Sequence, residues 1–198
     1  MKLLVATKNP GKFEEIREML LPLGAELLSL AEVGISDDFF EGGDGFEENA
    51  LGKARFYFEK SGIPAVADDS GIFVEALESE LGVKTRRWGA GERASDEEWL
   101  EQFLKRMESE ENRNAEFVCA AAYAGPEGER VFVGDTKGTL AMAPQVPVRQ
   151  GIPLSSIFYP EGYRKVYAEL SLDEKNAVSH RGKAFNKLLS CLKMFGKE

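Results

Sequence analysis

The first twelve residues constrain the fold of this chain more than any other stretch. An apolar run at Lys2–Ala6 predicts a buried strand, the polar segment Thr7–Lys12 follows at once, and an amphipathic helix comes next. A strand that turns into a helix N-terminus is a natural anion site, because the first helical amides lack intrahelical partners and the helix dipole favours negative charge. The two lysines, the threonine and the asparagine of this turn suit phosphate. An ordinary strand–helix connection with surface lysines is the alternative.

The spacing excludes the best-known phosphate loop. A Walker loop needs Ser or Thr directly after its Gly-Lys pair, whereas Phe13 follows Gly11-Lys12 here. No hydroxyl group is therefore in place to hold magnesium beside this turn. If phosphate binds here, the metal must be held elsewhere in the chain.

Bulk properties narrow the class of protein. The chain has 198 residues, 43% of them hydrophobic and 30% charged, which predicts one globular domain over residues 1–198. Its net charge of −9 argues against a nucleic-acid binder, and its apolar runs are too short to span a membrane. Cys119 and Cys191 form no Cys-x-x-Cys motif, which argues against zinc or redox chemistry. Buried reduced thiols and the absence of a secretory signal predict a cytoplasmic protein.

Helical and strand patterns alternate along the chain. A Ser95-x-x-Glu98 capping box opens one helix, and Gly125–Gly128 separates two strands of a hairpin by more than two residues. Asp68–Gly71 is expected to lie between two short strands. This order predicts an α/β fold with a mixed sheet. Helices are predicted at residues 12–23, 46–60, 95–108 and from 172 onward, and strands at 2–6, 26–30, 63–67, 72–76, 115–123, 129–140 and 156–159.

Two acidic regions are candidates for metal binding. Residues 37–48 carry six acids and no Lys or Arg; a solvated loop explains most of them, and the helix dipole explains Glu47 and Glu48. Asp68 and Asp69 directly follow a buried strand, where ligands of open α/β sheets bind. Two carboxylates about 5 Å apart repel by roughly 3 kcal/mol at an effective dielectric near 20, which a divalent cation or a raised pKa relieves. An Asx-turn is the alternative.

A basic cluster stands near the end of the chain. Residues 175–183 contain Lys175, the single histidine His180, and Arg181. These side chains suit a phosphate group or the polar edge of a base more than a protein core. Ser179 has a simpler alternative role as a helix N-cap.

Together these segments resemble the inosine triphosphate pyrophosphatases, which remove deaminated purine nucleotides. The matching motifs occur in the family's order across nearly the whole chain. The resemblance implies an elongated mixed central sheet flanked by helices, two lobes with the active-site cleft between them, and a homodimer. The motifs are Thr7-x-Asn9-x-x-Lys12, Glu48-Asn49-Ala50 with Lys53-Ala54, Ala67–Gly71, and Glu174–Arg181.

The resemblance also implies a reaction and its residues. The family hydrolyses purine nucleoside triphosphates such as ITP, dITP and XTP between the α and β phosphates, with Mg²⁺. Asp69 resembles the general base and Glu41 a magnesium ligand; Asp68 and Asp69 are the further metal candidates. The substrate-binding residues that it implies are Thr7, Lys8, Asn9, Gly11, Lys12, Ser70, Trp88, Lys175, His180 and Arg181.

One segment departs from the family pattern. The family usually has Gly-Phe-Gly-Tyr-Asp-Pro where this chain has Gly151–Ser156, so the aromatic side chain that stacks on the purine and the neighbouring acid are absent. Trp88 is a candidate replacement, or the ordinary wall of the site. Two alternatives stay open: the same chemistry with another base preference, and a nucleotide-binding module without catalysis.

Overall fold

The computed structural model describes residues 2–90 and 94–195. One six-stranded sheet runs through it in the order β2-β1-β3-β4-β5-β6. β1 is parallel to β2 and β3, and the other neighbours are antiparallel, which confirms the predicted mixed α/β sheet. The strands are β1 Lys2–Val5, β2 Glu26–Ser29, β3 Ala65–Val74, β4 Asn114–Gly125, β5 Gly128–Leu140 and β6 Phe158–Pro160. The helices are α1 Pro10–Leu20, α2 Phe46–Ser61, α3 Asp96–Arg106, α4 Leu172–Val178 and α5 His180–Phe195.

Local sequence signals set the helix ends. The predicted capping box is present: Ser95 accepts a hydrogen bond from the amide of Glu98 at the start of α3, which ends at Arg106 rather than at residue 108. Gly62 ends α2 in the left-handed conformation, with φ of 66°. Helix starts and stops therefore follow from residues within one turn of each end. Within the described residues, none of the helices is long and apolar enough to cross a membrane.

Successive residues of β3 face opposite sides of the sheet. Ala65 and Ala67 pack under α2, together with alanines of β4. Val66 packs on the other side, against residues of α1 and α5. The sheet is thus covered by α2 on one face and by α1 and α5 on the other.

A second lobe forms around the far half of β3. Ile72 and Val74 pack there with Phe117 of β4 and with Trp99 and Phe103 of α3. β1 ends at Val5, opposite Val66, so β3 continues beyond its parallel neighbour into this lobe. The cleft between the lobes opens beside that continuation, as the family resemblance predicted.

The prediction of two short strands around an Asp68–Gly71 turn is wrong. β3 runs unbroken through these residues because β4 pairs with it along the whole length, Asp68 opposite Ala121 and Asp69 opposite Ala120. Gly71 is required for another reason: a Cβ there would lie 2.1 Å from the carbonyl oxygen of Gly82. Long-range pairing overrides the turn-like composition of this segment.

Smaller differences concern strand ends. Gly125 pairs with Gly128, so the hairpin loop is two residues, Pro126 and Glu127, and not longer as predicted. The last strand begins at Phe158, after a 3₁₀ turn over Pro153–Ser156. Both cysteines are buried free thiols, as expected.

Candidate active site

A cavity of about 560 Å³ lies where β3 continues past the end of β1. Its volume is in the range of small-molecule sites. Most of the residues predicted from sequence line it, which brings together three regions far apart in the chain. These lining residues are Thr7, Lys8, Asn9, Lys12, Glu41, Asp69, Ser70, Lys175, His180 and Arg181.

The structure separates the two carboxylates that the sequence placed side by side. Asp69 faces α2, where its Oδ2 accepts a hydrogen bond from Asn49 Nδ2 at 2.9 Å. Asp68 faces α1 and α5, where its Oδ2 lies 3.2 Å from Lys12 Nζ and 3.1 Å from Arg181 Nη2. Because successive residues of a strand face opposite sides of the sheet, the two carboxylates are not placed to hold one metal ion between them, contrary to the expectation for a common turn.

Asp68 belongs to a buried ion network that also contains Glu15. Arg181 Nη1 donates to Glu15 Oε2 at 2.6 Å, and Lys175 forms an ion pair with the same carboxylate. Burial raises the pKa of Asp68, but Lys12, Arg181 and Lys53 outweigh it and hold that pKa well below the usual range. At Glu15, burial also raises the pKa, but Arg181 and Lys175 outweigh it, so the pKa of this carboxyl is lowered too. Asp68 is outside the cavity lining, so the geometry does not support it as a metal ligand.

Asp69 sits in the opposite electrostatic situation. Its pKa is raised, first by burial and then by the negative charge of Glu41, with Lys12 and Lys53 opposing. Lys53 forms an ion pair with Glu41 and donates to the carbonyl oxygen of Asp68 at 3.0 Å. Arg87 donates to the carbonyl oxygen of Glu41 at 2.9 Å. The cavity wall therefore carries a buried acid that is only partly neutralised.

Glu41 and Asp69 suit a hard divalent cation that a bound phosphate compound also helps to hold. Among residues 2–90 and 94–195, no group of three or more His, Cys, Asp or Glu side chains is arranged to hold a metal. Mg²⁺ needs fewer protein ligands than that, because it takes one or two carboxylates and completes its shell with phosphate oxygens and waters. Glu41 and Asp69 are the residues that meet this description.

Several groups of the turn after β1 already make contacts within the protein. Asn9 caps α1 by accepting the amide of Lys12 at 3.0 Å, and its Nδ2 donates to the carbonyl oxygen of Gly151 at 2.8 Å. A Cβ at Gly11 would lie 2.6 Å from the carbonyl oxygen of Gln150, so this glycine permits close packing and lies outside the cavity lining. Lys8 reaches an exposed ion pair with Asp38 at 2.6 Å. Of the helical amides expected to be free, that of Lys12 is already capped.

The basic cluster lies across the break between α4 and α5. Ser179 Oγ accepts the amide of Gly182 at 3.0 Å, so the N-cap alternative for Ser179 is correct. His180 stacks on Phe117 with ring centroids 4.6 Å apart. Burial, followed by Arg181 and Lys175, lowers the pKa of His180 well below its usual value. Burial and the two neighbouring cations thus disfavour the charged form of the His180 ring, and Lys175 and Arg181 are the cations of this cluster.

Trp88 is not where the sequence suggested. It lies outside the cavity lining, packs edge-on against Trp99 at 6.2 Å, and donates through Nε1 to Glu80 Oε2 at 3.2 Å. Trp99 lines the cavity instead, together with Phe117 and Tyr167. Packing of α3 against the second lobe, which sequence periodicity does not specify, decides which tryptophan reaches the cavity.

Sequence reasoning missed several residues of the site. Asn49 and Lys53 stood in a motif that matched the family but received no role. Glu15 was also missed, although its spacing of four residues to Met19 puts it on the buried side of α1, where it is 9% exposed. An acid on the apolar face of a helix was the available signal for a buried ion pair.

Comparison with known proteins identifies the family. A dITP/XTP pyrophosphatase of Streptomyces coelicolor is 42% identical over 95% of this chain and 95% of its own length. One of Aquifex aeolicus is 42% identical over 98% of this chain and 97% of its own. The solved structure of the Staphylococcus aureus Ham1 protein matches with a TM-score of 0.80 at 31% identity, covering 100% of both chains. A family model described as the Ham1 family matches residues 3–191. These matches confirm the resemblance drawn from the motifs: the chain belongs to the Ham1 family.

Proposed function

We propose that this protein is a Mg²⁺-dependent pyrophosphatase that hydrolyses deaminated purine nucleoside triphosphates such as ITP, dITP and XTP to the monophosphate and pyrophosphate. The relatives named dITP/XTP pyrophosphatases support the activity and the substrate class. The single observation that carries the proposal is Asp69, a buried carboxylate with a raised pKa at a cavity wall lined with cations. With this activity, the role of the protein is to remove such nucleotides from the precursor pool.

Charge neutralisation is the first requirement of this reaction. A triphosphate carries about four negative charges, so its binding needs cations at the cavity wall. We assign the polyphosphate to Thr7, Lys8, Asn9, Lys12 and Ser70. Lys175, His180 and Arg181 are assigned to the nucleoside and its nearest phosphate. Each of these residues lines the cavity.

Three residues of the predicted site receive supporting roles instead. Asp68 holds the side chains of Lys12 and Arg181 in place. Gly11 allows the first turn of α1 to contact Gln150. Trp88 packs behind Trp99. We propose that none of the three touches the substrate, because none lines the cavity.

Activation of water is the second requirement. Asp69 accepts a proton as the water oxygen bonds to the α-phosphorus and the bond from that phosphorus to the bridging oxygen breaks, so that pyrophosphate leaves. A raised pKa makes this carboxylate a stronger base than an ordinary aspartate, and the hydrogen bond from Asn49 holds its orientation. Mg²⁺, when bound by Glu41 and Asp69, supplies positive charge to the phosphates and polarises the attacking water.

The experiment that tests this function follows both the products and the oxygen. The protein is incubated with ITP and Mg²⁺ in H₂¹⁸O, with an EDTA sample and an Asp69→Asn variant as controls. We expect IMP and pyrophosphate, with the label in IMP. Release of IDP and orthophosphate contradicts the proposed cleavage site, and label in pyrophosphate contradicts attack at the α-phosphorus. Tight ITP binding without turnover favours the nucleotide-binding module.

We propose a single domain over residues 1–198, a homodimer and a cytoplasmic location. Light scattering of the purified protein measures its mass in solution; a mass near the 21.9 kDa of one chain contradicts the dimer.

A further inference from the structure

Asn49 is a buried polar residue in the first turn of α2. The residue is 1% exposed, and it lies outside the lining of the cavity. Asn is a poor helix former, because its side chain competes for backbone hydrogen bonds. A buried amide is tolerated when its donors and acceptors find partners. The hydrogen bonds of this side chain therefore explain why an amide stands next to Ala50 on the buried side of the helix.

The side chain of Asn49 joins two separate segments. Its Oδ1 accepts the backbone amide of Gly43 at 2.9 Å, and its Nδ2 donates to Asp69 Oδ2 at 2.9 Å. Gly43 follows Glu41 by two residues in the loop between β2 and α2, whereas Asp69 belongs to β3. One side chain thus holds the loop of Glu41 and the carboxylate of Asp69 together.

The close approach of the loop depends on Gly43. A Cβ at this position would lie 2.8 Å from Asn49 Oδ1 and 2.8 Å from Glu48 Oε2. The exposed side chain of Glu48 can move aside, but that of Asn49 is buried and hydrogen-bonded at both ends. A residue with a Cβ would therefore push the loop away from Asn49.

Lys53 makes a similar connection one turn later on α2. It forms an ion pair with Glu41 and donates to the carbonyl oxygen of Asp68 at 3.0 Å. A cation that binds Glu41 competes with this ion pair, because both need the same carboxylate. The bonds of Asn49 carry no such conflict, since Gly43 contributes a backbone amide and a carboxylate oxygen has a second lone pair. Asn49 is therefore the link that a bound cation leaves in place.

We propose that Asn49 is a positioning residue that holds Glu41 and Asp69 at a fixed separation, so that both carboxylates bind one divalent cation. The proposal rests on the proposed function, which assigns this pair to Mg²⁺, and adds the residue that keeps the pair together. Asn49 acts through its two partners, because it lies behind the cavity wall. Loss of a residue that orients metal ligands typically costs about 10–100-fold in metal affinity.

Direct metal binding is the first test. The probe is Mn²⁺ alone, and the bound fraction is measured from the loss of the electron paramagnetic resonance signal of the free ion. Asn49→Leu keeps the branch at Cγ and removes both hydrogen bonds. We expect its Mn²⁺ affinity to fall by about tenfold or more. A purely structural role would lower the free energy of unfolding and leave the affinity of the folded protein unchanged, so wild-type affinity in folded Asn49→Leu overturns the proposal.

A second variant approaches the same contact from the loop. Gly43→Ala leaves the side chains of Asn49 and both acids in place and adds a methyl group where the loop meets Asn49. Because the change lies in a loop, it tests the proposal even where Asn49→Leu does not fold. We expect the Mn²⁺ affinity to fall by about tenfold here too. Wild-type affinity in Gly43→Ala overturns the proposal.

Tyr57→Phe is the matched control. Tyr57 lies on α2 two turns after Asn49, and its hydroxyl donates to the carbonyl oxygen of Asp37 at 3.0 Å, in the same loop. The variant deletes a bond between α2 and the loop that reaches neither acid, so we expect wild-type Mn²⁺ affinity. A loss equal to that of Asn49→Leu overturns the proposal, because any bond between α2 and the loop would then have the same effect.

This outcome is distinguishable from that of the proposed function. Mn²⁺ binding is measured without nucleotide or turnover, so failure of the wild type to hydrolyse ITP overturns the proposed function alone. A wild type that hydrolyses ITP and binds Mn²⁺ as weakly as Asn49→Leu overturns the role of Asn49 alone.

Discussion

The two faces of β3 carry the same residue type with opposite consequences. On the α1–α5 face, Asp68 is paired with Lys12 and Arg181, and its pKa is lowered. On the α2 face, Asp69 accepts hydrogen bonds from Asn49 and from the amide of Ser70, and its pKa is raised by burial and by Glu41. Consecutive residues of one strand thus lie in an ion-paired network and beside a second acid, Glu41, that raises the pKa of Asp69.

This difference suggests that Asp68 serves the stability of the fold and Asp69 serves the reaction. Removal of one partner from a buried ion pair is costly, because it leaves an uncompensated charge in the protein interior. A buried acid that is kept ionised against its surroundings is a base, and it costs stability. We therefore expect that removing the charge of Asp68 destabilises the fold. Removing the charge of Asp69 is expected to abolish activity while the protein stays folded.

The largest effect is expected for Asp69→Asn. Loss of the base lowers kcat by about 10²–10⁴-fold, while the thermal midpoint stays at or above that of the wild type because a destabilising charge is removed. Steady-state kinetics with ITP and thermal unfolding followed by circular dichroism measure the two quantities. A folded variant with the wild-type rate removes Asp69 from the mechanism.

The pH dependence of this variant has a defined sign. The folded pKa of Asp69 is raised, so its stabilising contribution is fully present below the unfolded pKa and is lost as pH rises through the folded pKa. The difference in thermal midpoint between Asp69→Asn and the wild type should therefore grow as pH rises through that interval. A difference that shrinks with rising pH contradicts the raised pKa.

The next largest effect is expected for Asp68→Asn. The variant removes the carboxylate that pairs with Lys12 and leaves Glu15 to neutralise Arg181, which lowers the free energy of unfolding by about 3 kcal/mol or more. Chemical denaturation at pH 7 measures this loss. Because the folded pKa of Asp68 is lowered, its contribution to stability exists above the unfolded pKa and disappears as pH falls through the folded pKa. Equal stability of the variant and the wild type at pH 7 refutes the paired network.

A smaller effect on activity is expected for Glu41→Gln. The variant removes one of the two carboxylates assigned to the metal, so the Mg²⁺ concentration that gives half-maximal rate rises by about tenfold or more. It also removes a negative charge that raises the pKa of Asp69, so the acidic limb of the pH–rate profile moves to lower pH. Mg²⁺ titrations at several pH values test both shifts. Wild-type Mg²⁺ dependence removes Glu41 from the metal site.

The smallest effect is expected for Ser70→Ala. Ser70 Oγ accepts a hydrogen bond from Arg181 Nη2 at 2.9 Å and lies 3.3 Å from Asp68 Oδ2. Its loss costs about 1 kcal/mol of unfolding free energy, and Asp68 still holds Arg181. A loss as large as that of Asp68→Asn would mean that the hydroxyl, and not the carboxylate, organises the network. Parallel denaturation of both variants decides between these outcomes.

Much of the site was predictable because its motifs are local. The Thr7–Lys12 turn, the acids at 41 and 69 and the cluster from Lys175 to Arg181 were recognised as candidates, and the structure places them around one cavity. The separation of Asp68 from Asp69 was not predictable, since the segment has the composition of a turn. Whether it forms a turn or a strand depends on β4, whose partner residues Ala120 and Ala121 lie about 50 positions later in the chain.

The sequence alone determined the elements of this protein: the strand–turn–helix start, the capped helices, the hairpin and the family to which the motifs belong. These features depend on residues a few positions apart in the chain, so they can be predicted from the sequence. Only the tertiary structure decided which acid is neutralised and which tryptophan reaches the cavity. Arg181 meets Asp68 across 113 positions of sequence, and Trp99 rather than Trp88 lines the cavity because of how α3 packs. Burial and charge pairing are set by neighbours in space, and the order of residues along the chain does not specify them.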